Sequence, residues 1–130
     1  MSSANVTAGV RVGVEIDWDA LEPGVAVDLV EAGAGAPVGS EDYERWVRGA
    51  IYGVRFAITE TNSMPCVVRL VELAVGEGTT ATQVAAAAAL AVWEAIGVEL
   101  EGGVLARIHR RVVESRQQGA DWLGDFATAP

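Results

Sequence analysis

From residue 10 the chain alternates, with Val10, Val12, Val14 and Ile16 separated by Arg11, Gly13, Glu15 and Asp17. A period of two in β-branched residues predicts a half-buried strand, because successive side chains on a strand point to opposite faces. Leu21-Glu22-Pro23-Gly24 reads as a turn, proline presetting φ and glycine accepting a positive φ after it. A second strand is predicted over Val25–Glu31, with Val25, Val27 and Leu29 on one face and Asp28 on the other. The two strands read as an antiparallel pair with a short connection.

The period then changes. Gly33 to Gly39 breaks regular structure, and Ser40 follows as an N-cap with Glu41 and Asp42 in the first turn, where carboxylates complement the helix dipole. Tyr43, Trp46, Val47, Ala50, Ile51, Val54, Ala57 and Ile58 recur at spacings of three and four, which predicts a long amphipathic helix ending near Thr59. Cys66 to Val75 is too β-branched and short for a helix and is predicted as a third main strand, more buried than the first two. Thr80 and Gln83 have capping-box spacing, and the alanine-rich helix they open runs from Ala81 to Ile96, with Gly97 as its C′ residue. Its small side chains permit close approach to a sheet or another helix. Val98 and Leu100 suggest a short strand, and a last helix is predicted from Val104 to Gln118 with Leu105, Ile108 and Val112 as its apolar stripe. The order β-β-α-β-α with a final helix predicts an α+β fold, a two-layer α/β sandwich. Residues 1–9 are expected to be loose, 10–118 to form one domain, and 119–130 to be a tail pinned by Trp122 and Phe126.

Composition narrows the function. The chain has 130 residues, 51% of them hydrophobic, and a net charge of −9. That is enough for one core, and the apolar fraction argues against disorder. All nine basic residues are arginines. The acidic balance excludes a generic nucleic-acid or anionic-membrane binder, since neutralising phosphate needs excess cations. One cysteine excludes an intramolecular disulfide, and one histidine excludes the usual histidine-rich metal site. With no positively charged, apolar leader at Met1 and no apolar run that spans a bilayer, a cytoplasmic protein with a reduced thiol is expected. No membrane contact is expected.

Candidate chemistry is sparse. Gly33-x-Gly35-x-x-x-Gly39 lies between a strand and a helix, as a nucleotide-binding turn does, but only one strand-helix-strand unit follows and a flexible approach loop is the better reading. Asp17, Asp19, Glu22, Asp28 and Glu31 crowd the first two strands; without the ligand order of a calcium loop they read as a solvated acidic face. No Gly-x-Ser-x-Gly elbow accompanies His109, and Cys66 reads as a small buried hydrophobe, so no catalytic residue, metal or cofactor is assigned. The tryptophans read as core and interface residues. The last helix departs from the acidic balance: Arg107, Arg110, Arg111 and Arg116 stand against Glu114 alone, with His109 among them. It is either a contact for an acidic partner or a face matched to the acidic remainder of this chain or a second copy.

One larger succession joins these segments. It runs through the strand Val10–Ile16, the turn Leu21–Gly24, the strand Val25–Glu31, the glycine-rich approach Gly33–Pro37, and the helix with Tyr43 and Gly49-Ala50-Ile51. It continues through Met64-Pro65-Cys66-Val67-Val68-Arg69-Leu70, the loop Gly76-Glu77-Gly78-Thr79-Thr80, and the helix Gln83–Ala95. Over about residues 10 to 97 it resembles domain IV of elongation factor G and of the ribosomal protection proteins, which have the ribosomal protein S5 domain 2-like fold. The resemblance implies helices on one face of a sheet and a left-handed β-α-β crossover, against the strong right-handed default. It also implies that the loops at Asn5 to Gly9 and Gly76 to Thr80 are the contact ends. No phosphate-binding Gly-x-x-x-x-Gly-Lys motif occurs, and the acidic charge disfavours ribosome association, so the fold carries over more readily than the ribosomal role.

Two functions from different classes remain. One is a non-catalytic, self-associating interaction module, with contacts at Glu77, Thr79, Thr80, Arg107, His109, Arg110 and Arg111. The other is a small-molecule-binding protein or enzyme with a pocket between sheet and helices, drawing on Arg69, Glu72, Glu77 or the Gly33–Gly39 loop.

Overall fold

The computed structural model describes residues 2–7, 9–18, 24–28, 40–61, 67–76, 79–97 and 102–118. β1 (Ser2–Thr7) and β2 (Val10–Asp17) form an antiparallel hairpin in unbroken register from Ser2 opposite Glu15 to Thr7 opposite Val10. Gly9, at φ 81, turns the chain in the left-handed region that favours glycine. Residues 2–7, expected to be loose, are therefore an edge strand. Ser-Ser-Ala-Asn-Val-Thr has no apolar alternation to signal it; the ladder to β2 holds it instead.

The four-stranded sheet has the order β1-β2-β4-β3. β4 (Val67–Ala74) runs antiparallel to β2 and parallel to β3 (Gly24–Val27). This corrects the expected pairing of the second and third strands, because β4 stands between them. Alternation and turn residues describe each strand but not its neighbour, and β4 takes the central place by bringing Val68, Leu70 and Leu73 to the face on which Val10, Val12, Val14 and Ile16 are buried. β4 is also no more buried than β2. Its Arg69, Glu72 and Ala74 are exposed, like Arg11, Glu15 and Asp17. A bulge opposite Gly13 and Val14 makes Val71 the extra residue and restores the alternation beyond it.

The helices cover the inner face. α1 (Glu41–Thr61) starts where Ser40 predicts: the Tyr43 N–H donates to Ser40 Oγ at 3.2 Å. α2 (Ala81–Ile96) has the full capping box. Gln83 N–H donates to Thr80 Oγ1, Thr80 N–H donates to Gln83 Oε1, and Gly97 ends the helix at φ 76. α3 (Gly102–Gln118) follows. α2 lies against β1 and β2, with α1 along one side and α3 packed on it. Gly49 and Gly53 of α1 meet Ala81 and Ala85 of α2, one turn apart on each helix. A Cβ at Gly49 would stand 2.6 Å from the Ala81 carbonyl oxygen, and one at Gly53 would run into that of Ala85. The small side chains of α2 thus allow both approaches, to sheet and to helix. Trp93 closes the far end, its Nε1–H donating to the Ala57 carbonyl at 3.2 Å and its ring set edge-on to Phe56.

The result is α+β, a two-layer α/β sandwich with one open sheet face, and β3, α1 and β4 make a β-α-β unit with parallel strands. No described helix is long and apolar enough to cross a membrane. The Gly33–Gly39 loop, Cys66, Val98 to Leu100 and the tail from 119 lie outside the described residues.

Candidate functional site

Thr79 and Thr80 sit where the sheet hands the chain to α2, and both are buried. Thr79 Oγ1 donates to the Gly76 carbonyl at 2.7 Å. The Thr79 carbonyl accepts from Trp46 Nε1 at 2.9 Å and from the Arg45 guanidinium at 3.2 Å. Thr80 Oγ1 lies 2.9 Å from Ser115 Oγ, and Ser115 donates its proton to the Val112 carbonyl. Thr80 Oγ1 accepts from Gln83 N–H and has one proton for two acceptors in reach, Ser115 Oγ and, at 3.2 Å, Gln83 Oε1. The junction therefore ties α1, α2 and α3 together, and Arg45 Nε is buried beside it without a hydrogen-bond partner among the described residues. Thr79 and Thr80, expected at a contact surface, are buried joints of the fold instead. Glu77 lies outside the described residues.

The four α3 candidates do not form one cluster. Ile108, Val112 and Ser115 define the buried stripe. By helical spacing, Arg107 and Arg111 lie one turn apart on one flank, His109 lies towards the other, and Arg110 points outward. The structure has His109 and Arg110 exposed and Arg107 and Arg111 half-buried. Arg111 Nη1 donates to Glu114 Oε2 at 3.1 Å, so this arginine is matched within its own helix. Val113, 51% exposed, stands on the outward face one turn from Arg110. That face is basic and apolar on an acidic chain.

Sequence reasoning missed two residues here. Ser115 falls on the apolar stripe, seven residues after Ile108; a hydroxyl in such a stripe signals a buried hydrogen bond. Arg45 lies off the apolar stripe of its helix, yet its guanidinium reaches the Thr79 carbonyl and lies 5.8 Å from the Trp46 ring centre.

Of the residues offered for a pocket between sheet and helices, the two that are described face away from the helices, and Glu77 and the Gly33–Gly39 loop lie outside the described residues. Arg69 and Glu72 are on the open face, where Arg11 Nε meets Glu72 Oε1 at 2.6 Å and Glu15 pairs in register with Arg69. Glu15 and Asp17 are exposed there as well; of the acidic face the sequence predicts, Asp17 and Asp28 are described and exposed, and Asp19, Glu22 and Glu31 lie outside the described residues. Among the described residues no three His, Cys, Asp or Glu side chains converge. Trp46 and Trp93 are core residues, whereas Trp18 is partly exposed.

No protein-family model matches the chain, and no curated protein is significantly similar to it in sequence.

Proposed function

We propose that this chain is a non-catalytic interaction module of the elongation factor G domain IV-like type, which self-associates and meets an acidic protein surface through the outward face of α3. The observation that carries the contact is the composition of that face: exposed Arg110 and His109 beside exposed Val113, on a chain of net charge −9. An apolar residue beside an arginine and a histidine on an acidic body favours an acidic partner over a basic one. The parallel β3-α1-β4 unit and the one-sided helix layer are consistent with the domain IV-like reading. Self-association rests on less than the sequence suggests, because apolar α2 is covered by its own sheet and by α1 and α3.

A labelled polyglutamate peptide followed by fluorescence anisotropy tests the α3 contact. Binding at low salt that weakens with added salt and is lost in Arg110→Glu is expected. No binding at low salt, or binding unchanged in Arg110→Glu, overturns it. The translational role that the resemblance implies is tested by co-sedimentation with ribosomes at low salt, where no association is expected from the charge.

A further inference from the structure

We infer that two copies of this chain associate by pairing β1 with β1, extending the sheet across a two-fold axis; this rests on the self-association part of the reading above. β1 is an edge strand, hydrogen-bonded only to β2 among the described strands. A strand edge is a template for another strand unless proline, charge, a bulge or shortness blunts it. β1 has six residues, no ionisable side chain, no proline and an unbroken register. The opposite edge, β3, has four residues.

Charge selects the same edge. The open sheet face carries Arg11, Glu15, Asp17, Arg69 and Glu72, which sheet-on-sheet stacking would strip of water at a cost. The net charge of −9 opposes approach along acidic surfaces. Ser2–Thr7 is a stretch where two copies meet without placing like charges together, and Val6, 63% exposed, is an apolar residue there with nothing yet to cover it.

The sheet period restricts the register. A two-fold axis normal to the sheet keeps both helix layers on one side, and residues then pair only when their numbers sum to an even value. Centring on Ala4 or on Asn5 satisfies this and sets Val6 opposite Ser2 or Ala4 of the second copy. Neither register brings charges into opposition.

Salt dependence separates this edge from the α3 contact. Pairing two acidic copies through an uncharged edge strengthens as salt screens their repulsion, whereas contact of α3 with an acidic surface weakens. Sedimentation equilibrium of the purified chain is expected to show dimers that salt favours. Hydrogen exchange is expected to show β1 amides gaining protection as concentration rises. Val6→Glu, at an exposed position, is expected to weaken the dimer by at least about tenfold with the melting temperature of the monomer unchanged. Arg110→Glu is expected to leave the dimer intact. Dimers that dissociate with salt, resist Val6→Glu and leave β1 exchange independent of concentration overturn the edge while sparing self-association. A chain that stays monomeric at all concentrations and salts overturns both.

Discussion

α2 and α3 are neighbouring helices of similar length built on opposite terms. α2 is apolar on nearly every side, and its residues are buried against β1, β2, α1 and α3, with Glu94 as its exposed residue. α3 is amphipathic, with Ile108, Val112 and Ser115 buried on α2 and arginines on the sides left over. A helix that is apolar all round needs neighbours all round, whereas one with a single stripe keeps a face for other work. Stability is therefore concentrated at α2 and contact chemistry at α3. The Thr80–Ser115 hydroxyl pair couples the two.

This comparison can be broken in order of effect. Trp93→Ala removes a fully buried indole, its hydrogen bond to Ala57 and its contact with Phe56; a loss of about 3–5 kcal/mol is expected in urea unfolding. Gly53→Ala forces a methyl into the Ala85 backbone, which cannot swing aside as a side chain can; about 3 kcal/mol is expected, the upper end for overpacking, by the same measurement. Thr80→Ala removes the N-cap and a partner of buried Ser115, for about 1–2 kcal/mol, and Ser115→Ala should cost less because Thr80 still caps α2. Arg110→Glu should change stability by no more than about 0.5 kcal/mol while altering peptide binding. A large loss of stability from that last substitution would show that α3 is held by its charges and would remove the contrast.

The helices were more legible in the sequence than the sheet. Ser40, the Thr80/Gln83 box and Gly97 act within a turn of their own position, so residue type and spacing state where a helix begins and ends. β1 was not legible, since an edge strand of small polar residues is held by backbone hydrogen bonds to a neighbour. The candidate site was legible in part. Arg110 and His109 are exposed as a polar helix face should be, but Thr79 and Thr80 stand in a loop that also opens a helix, and only the bonds of Trp46 and Arg45 to the Thr79 carbonyl and the contact of Thr80 with Ser115 show that both turn inward.

The sequence by itself determined the α+β class, the caps of α1 and α2, the inner residues of β2 and the charge contrast of the last helix. These follow from local periodicity, capping and side-chain chemistry. The tertiary structure alone decided that β4 separates β2 from β3, that Gly49 and Gly53 exist to admit α2, that Arg69 and Glu72 look away from the helices, and that β1 is an open edge. Each depends on which distant segment arrives alongside, and long-range packing writes no period into the chain.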